Sequence, residues 1–128
     1  ANGGRTTVPY FIGRITSPIS LPSHVGHGKT GEELLSSGAA SSLQQLMRYT
    51  VQNNYGDDLF PGLTVCAKTG TGEVGEGKEP NGWMVGFSTD ADCPLAFAIV
   101  VEEGGFGISS AGRIASKLLP MAAEQIRK

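Results

Sequence analysis

The chain has 128 residues, enough for one domain or part of one but not for two. Its 39% hydrophobic and 17% charged residues are typical of a globular protein, not of a disordered or fibrous one. The net charge of −2 and the absence of any Lys/Arg cluster argue against a nucleic-acid surface or a polybasic membrane patch. The longest apolar run, Pro94–Val101, is far shorter than the roughly 18 residues of a membrane helix, and no signal peptide opens the sequence, so we expect a soluble chain.

Regular structure in the first half of the sequence is expected mainly in one helix. Residues Thr6–Thr16 mix β-branched and aromatic types around Pro9, which predicts an irregular or edge strand. The stretch Ser17–Thr30 is rich in Pro, Ser and Gly and indicates a connecting loop. Apolar residues then recur at helical spacing and predict a helix from about Gly38 to Asn53. The members of this stripe are Leu43, Leu46, Met47, Thr50 and Val51.

The second half predicts three strands and a closing helix. The strands are Leu63–Thr71, Gly82–Ser88 and Leu95–Glu102, and their short polar connections suit antiparallel hairpins. The third strand is apolar on both faces, which is typical of the middle of a sheet covered by helices. From Ile108 onward an apolar stripe predicts a helix, which Pro120 should kink or restart. The predicted class is α+β, with a hairpin-linked antiparallel sheet packed against helices.

Two glycine patterns resemble cofactor-binding motifs, but the residues around them do not complete either motif. Gly70-x-Gly72-x-x-Gly75 matches a dinucleotide fingerprint, but the polar turn Glu76–Pro80 follows it where a helix would be needed, so we expect no cofactor. The pattern around Gly26–Thr30 lacks the first glycine of a phosphate loop.

Histidine and cysteine residues likewise give no metal pattern. His24 and His27 have no ligand partners at suitable spacing, and we expect exposed polar residues there instead of a metal site. Cys66 and Cys93 make neither a disulfide framework nor a zinc pattern and are expected to be buried free thiols.

The tripeptide Lys-Thr-Gly occurs twice, and the two contexts differ. The first copy, Lys29–Gly31, lies between a Pro/Gly/His loop and two glutamates, where Thr30 could at most cap a turn. The second copy, Lys68–Gly70, ends an alternating strand and leads through a polar hairpin into Gly82–Phe87. Taken alone, the second copy is also compatible with an ordinary strand end carrying a surface lysine.

A longer arrangement of segments resembles a known family. Three segments resemble the third, fourth and fifth strands of a penicillin-binding transpeptidase, namely Cys66–Thr71, Gly82–Phe87 and Phe97–Gly105. The segment that precedes these strands in the family is similar to Ala1–Gly4 with Pro9-Tyr10. The specificity lies in the order and spacing of these pieces, and the resemblance is strongest to the class B, monofunctional enzymes. It implies that residues 1–128 are the C-terminal portion of a transpeptidase domain, with a partial β-lactamase/transpeptidase-like fold.

The resemblance also implies a chemistry for the second Lys-Thr-Gly copy. In that family a serine of a Ser-x-x-Lys motif attacks a terminal D-Ala-D-Ala amide or a β-lactam, and the acyl group of the peptide then passes to an amine. The strand with Lys68 would be the edge on which the substrate lies as an added strand, and Gly70 would allow close approach. Lys68 and the hydroxyls of Thr69 and Thr71 would bind the terminal carboxylate, while the Thr71 N–H would belong to the oxyanion hole.

Two departures from the family pattern limit what the chain can do alone. None of its five lysines has a serine three residues earlier, and no Ser-x-Asn occurs. The nucleophile, its lysine and the second-motif serine are therefore expected upstream, and the isolated chain is expected to be inactive. The parent protein is expected at the extracytoplasmic face of a bacterial plasma membrane, held by an anchor outside this sequence. Strand Leu95–Val101 would be left with an unpaired edge, so we expect dimerisation, strand swapping or association with the complementary part of the domain.

Three rival interpretations remain open from the sequence. The parent could be a non-catalytic, penicillin-recognising sensor or binding module that lost its serine. The chain could also be a fragment of a serine β-lactamase or D,D-carboxypeptidase, although Gly82–Phe87 favours the transpeptidase. A small structural α+β domain with a chance motif is the third. The upstream sequence would separate these interpretations.

Overall fold

The computed structural model describes residues 1–17 and 20–128, without the side chains of residues 14, 16, 17 and 20–25. It divides into two compact units, residues 2–41 and residues 42–128. Each unit contains antiparallel strand pairs with their own hydrogen bonds.

The first unit holds two short strand pairs. Strand β1 (Arg5–Val8) pairs with β4 (Lys29–Glu33), and β2 (Arg14–Ser17) pairs with β3 (Ser20–Val25), each with register irregularities. The Thr6–Thr16 region thus contains parts of two strands. The prediction of a loop over Ser17–Thr30 was wrong, because backbone pairing with β1 and β2 orders most of this stretch despite its Pro and Gly content. The first Lys-Thr-Gly copy lies in β4 and not in a turn.

Helical structure follows the first unit's strands and runs without a break to residue 55. Helix α1 spans Ser37–Thr50 and continues as a π-helical turn over Val51–Tyr55. The predicted helix over 38–53 is confirmed, and it extends slightly further. Gly56, with a positive φ of 90°, ends this stretch, and a 3₁₀ turn at Asp57–Leu59 follows.

The second unit is built on a three-stranded antiparallel sheet in the order β5-β6-β7. Its strands are β5 (Val65–Gly72), β6 (Asn81–Ser88) and β7 (Ala96–Val101), with an unbroken register between neighbours. The predicted hairpin-linked sheet is confirmed. The two apolar faces of the third strand are typical of the middle of a sheet, but β7 is an edge of the sheet that this chain supplies, as the resemblance implied. Its Phe97, Ile99 and Val101 contact the core, whereas Ala98 and Val100 are exposed.

The core lies between one face of this sheet and the closing helix. A π-helical turn, Ile108–Gly112, continues into helix α2, Arg113–Ile126. Pro120 lies inside α2, and the helix continues through it, so the expected restart does not occur. The buried residues of the cluster are Val51, Phe60, Leu63, Val65, Ala67, Met84, Cys93, Ala111, Ala115, Leu119 and Ala123. The α+β class is confirmed. No helix in the described residues combines the length and apolar character that crossing a bilayer requires.

Candidate active-site strand

Strand β5 carries the second Lys-Thr-Gly copy and is an edge of the sheet. One side of β5 pairs with β6, and its other side pairs with no strand of the described chain. Side chains from the preceding helix reach this free side. Arg48 of α1 donates from Nη1 to the Val65 carbonyl oxygen at 3.0 Å, and its Nη2 lies 2.6 Å from Asp57 Oδ2. The ion pair fixes the guanidinium against the strand backbone.

Tyr55, the last residue of the π-helical turn, binds the same side of β5 at Thr69. Its hydroxyl oxygen accepts the Thr69 backbone N–H at 3.0 Å and lies 2.8 Å from Thr69 Oγ1. Both residues are half-buried. Helix and strand are thus joined at two points, Val65 and Thr69.

The backbone direction at Thr71 follows from these contacts. In an antiparallel strand the N–H and C=O of one residue point to the same side, and the side alternates along the chain. Because the polar backbone groups of Val65 and Thr69 point to the free side, those of Thr71 point there too. An unpaired N–H and C=O at a sheet edge can bind an extended peptide.

Lys68 and Gly70 lie on the sheet face that α2 does not cover. They sit opposite Val85 and Trp83 of β6. Lys68 is exposed, and its Nζ donates to the Thr69 carbonyl oxygen at 2.6 Å. A Cβ at Gly70 would lie 3.6 Å from Trp83 Cβ, an ordinary contact. The fold itself therefore does not require glycine at position 70.

On the opposite face, Gly107 brings the closing helical segment directly onto the strand. A Cβ there would be 2.5 Å from the carbonyl oxygens of both Gly70 and Trp83. Only glycine permits this approach without movement. The sequence singled out neither Gly107 nor Arg48 and Tyr55. Residues of these types near helix ends have many roles in proteins, and no periodic sequence pattern predicts the contacts that these three make.

Cysteine and histidine side chains add no reactive group to this strand. Cys66 and Cys93 are buried and free, as predicted. Burial raises the pKa of the Cys66 thiol, although nearby Arg48 partly opposes the shift, so the nucleophilic thiolate is disfavoured. His27 is exposed, and the His24 side chain lies outside the described residues. Within the described part of the chain, no three His, Cys, Asp or Glu side chains come together as a metal site would need.

The glycine-rich segment after β5 forms a turn. Gly75 and Gly77 have positive φ angles of 134° and 74°, and the chain proceeds directly into β6. The prediction that no helix follows Gly70-x-Gly72-x-x-Gly75 is therefore confirmed. The segment offers no helix N-terminus to a pyrophosphate.

Comparisons of the sequence with known proteins identify the family. Residues 1–120 match the family described as penicillin binding protein transpeptidase domain. The chain belongs to this family. It is 29% identical over 117 residues to a peptidoglycan D,D-transpeptidase PbpA of Mycobacterium tuberculosis, and 27% identical over 115 residues to that of Mycolicibacterium smegmatis. Each alignment covers 88% of this chain and 23% of the relative, so the chain spans about a quarter of their length.

Solved structures show the same fold. Penicillin-binding protein A of M. tuberculosis, in an imipenem acyl-enzyme complex, superposes with a TM-score of 0.80 at 27% identity. That match covers 97% of this chain and 28% of the other. The D,D-transpeptidase domain of a peptidoglycan glycosyltransferase from Eggerthella lenta gives a TM-score of 0.79 at 25% identity, covering 99% of this chain and 30% of that one. The partial transpeptidase-like fold predicted from the sequence is thereby confirmed.

Proposed function

We propose that residues 1–128 are the C-terminal portion of a peptidoglycan D,D-transpeptidase domain and that β5 is its substrate-binding strand. The observation that carries this proposal is the free side of β5, to which the Thr71 backbone N–H and C=O point. Family membership supports it, as do relatives named as D,D-transpeptidases and a structural neighbour that is an acyl-enzyme with imipenem.

In the proposed complex, a stem peptide ending in D-Ala-D-Ala lies antiparallel to β5, as does the corresponding part of a β-lactam. Lys68 neutralises the terminal carboxylate, and Thr69 and Thr71 donate their hydroxyls to it. To do so, the Lys68 ammonium exchanges its contact with the Thr69 carbonyl oxygen for the ligand. The Thr71 N–H stabilises the oxyanion of the tetrahedral intermediate, a contribution worth on the order of 3 kcal/mol for one such donor.

The covalent step needs residues outside this chain. An upstream serine attacks the scissile carbonyl, a C–O bond forms and the C–N bond breaks, and the proton that the serine hydroxyl loses passes to the leaving nitrogen. In cross-linking, an acceptor amine then displaces the serine from the acyl group. The partner of residues 1–128 is therefore the upstream part of the same domain, and the parent acts at the outer face of the bacterial plasma membrane, held by an anchor outside this sequence.

Penicillin labelling tests the proposal, and the first Lys-Thr-Gly copy supplies a matched control. We expect a fluorescent penicillin to label the parent protein covalently and to leave the isolated 128-residue chain unlabelled. In the parent, Lys68→Ala should slow acylation by about tenfold or more, because a charged contact to the carboxylate is lost. Lys29→Ala, in the exposed copy on β4, should leave the rate unchanged.

Three results would contradict the proposal. Labelling of the isolated chain would show that the nucleophile lies within residues 1–128. A parent that is never labelled would remove the transpeptidase assignment. Equal rates for Lys68→Ala and the wild type would remove β5 from the site.

A further inference from the structure

The hydrogen bonds between Tyr55 and Thr69 have a defined direction. A backbone N–H can only donate, so the Tyr55 oxygen is the acceptor in its 3.0 Å contact with the Thr69 nitrogen. The Tyr55 hydroxyl hydrogen remains free to be donated. Its nearest partner is Thr69 Oγ1 at 2.8 Å, where either oxygen can be the donor. The Thr69 side chain thus has two possible hydroxyl orientations.

A bound carboxylate would select one of these orientations. An ionised carboxylate only accepts hydrogen bonds, so the Thr69 hydroxyl must donate to it. The Thr69 oxygen then accepts from Tyr55, and a chain of donors runs from Tyr55 through Thr69 to the ligand. We propose that Tyr55 is a positioning residue, which holds the Thr69 hydroxyl ready to donate to the terminal carboxylate of the substrate. This inference rests on the proposed function of β5.

The position of Tyr55 suits this role. It ends a π-helical turn, an uncommon conformation that is frequent at functional sites. Arg48 lies seven residues earlier, about two helical turns, and binds the same side of the strand at Val65. The Tyr55 hydroxyl therefore reaches Thr69 from a segment that is itself anchored to β5.

Tyr55→Phe in the parent protein tests the inference, with Tyr49→Phe as the control. Tyr49 is on α1 and 62% exposed, and its hydroxyl makes no hydrogen bond within the described residues. Acylation rates would be measured with a β-lactam bearing a free carboxylate and with its methyl ester. We expect Tyr55→Phe to slow acylation by the carboxylate compound roughly tenfold and acylation by the ester much less, because hydrogen bonds to charged groups are stronger than those to neutral groups. Tyr49→Phe should change neither rate.

The ratio of the two rates separates positioning from general support of the fold. An equal slowing of both compounds would show that Tyr55 only supports the strand, and unchanged rates would show that it has no role; either result overturns the inference. Thr69→Val should change the ratio of the two acylation rates by the same factor as Tyr55→Phe. The double variant should lose no more activity than either single variant, because both residues act through one donor chain. Additive losses would contradict a shared chain.

Hydrogen exchange tests the underlying contact without any acylation. The Thr69 amide of the parent should exchange several-fold faster in Tyr55→Phe than in Tyr49→Phe, because it loses its acceptor. Unchanged exchange would overturn the inference while leaving the proposed function standing. A wild-type parent that does not acylate would instead overturn the proposed function, whatever the exchange rates show.

Discussion

The Asp90 carboxylate links the start of β5 to the turn after β6. Its Oδ2 accepts the Thr64 backbone N–H at 2.8 Å and the Ser88 hydroxyl at 2.9 Å. The Thr64 N–H is the main reason why the pKa of Asp90 is lowered from its ordinary value. The Thr89 N–H donates back to the Thr64 carbonyl oxygen at 2.9 Å. This small network fixes the end of the β5-β6 ladder.

Asp90 should make the stability of the chain depend on pH. Its folded pKa lies below the unfolded value of about 3.9, so the stabilisation is present above that value and is lost as the pH falls through the folded pKa. We expect Asp90→Asn to lower stability at pH 7 by on the order of 0.5 to 1 kcal/mol, a modest loss because the group is only half-buried. The fall in stability below about pH 4 should be smaller in the variant.

Thermal unfolding of the chain between pH 7 and pH 3 measures this effect. Asp58→Asn is the matched control, since Asp58 is exposed and makes no hydrogen bond among the described residues. An identical pH dependence in wild type and Asp90→Asn would remove Asp90 from the acid response.

At the scale of elements, the glycines of β6 determine how closely its neighbours approach. A Cβ at Gly86 would lie 2.5 Å from the Cys66 carbonyl oxygen, 2.8 Å from Phe97 Cζ and 2.9 Å from Ala67 Cβ. No real Cβ is accommodated at these distances without movement. The neighbours on both adjacent strands would have to shift.

Gly86→Ala and Gly70→Ala form a matched pair of substitutions on adjacent strands. We expect Gly86→Ala to destabilise the chain by about 1 to 3 kcal/mol through overpacking. Gly70→Ala should leave stability unchanged or raise it slightly, because its Cβ meets only an ordinary contact and the unfolded chain loses freedom. Chemical denaturation would compare the two. Equal losses of stability in the two variants would show that overpacking around Gly86 does not determine the effect of the substitution.

The elements also show what the sequence could predict. Strands β5 to β7 were found because alternation and short polar turns are local signals. Strands β3 and β4 were missed, because Pro22 and Gly31 lower local strand preference and the pairing depends on partners elsewhere in the chain. Apolar residues on both faces of β7 do not reveal how many strands one chain supplies, so its edge position was expected only from the resemblance to the family.

For the whole molecule, one sheet face of the second unit is open. We call the exposed side chains Trp83, Val85, Ala98 and Val100 the open sheet face. Trp83 and Val85 are each 43% exposed and Val100 46%. This face adjoins the free edge of β7, and apolar surface next to an unpaired strand favours association.

We expect the isolated chain to self-associate at high concentration in sedimentation experiments. Val100→Lys should shift it toward monomer, because a charge on the open sheet face opposes its burial. Val74→Lys makes the same change at a residue that is 45% exposed in the turn between β5 and β6, and it should have little effect. A wild-type chain that stays monomeric would contradict the expectation, as would equal effects of the two variants.

The candidate site was predictable only in part. The sequence itself contains the order and spacing of three segments that indicate the family, namely Lys68–Thr71, Gly82–Phe87 and Phe97–Gly105. The hydrogen bonds of Arg48 and Tyr55 were not predictable, because they depend on how a helix end meets a strand edge.

The two attachments of the helical segment to β5 also restrict what can pair with that strand. A long foreign strand would have to displace Arg48 at Val65 and Tyr55 at Thr69 to extend the sheet along this border. A short peptide that aligns beyond Thr69 meets neither obstacle. We therefore expect the border of β5 to pair with a brief terminal segment more readily than with a long strand, whereas the outer side of β7 pairs with no strand of the described chain.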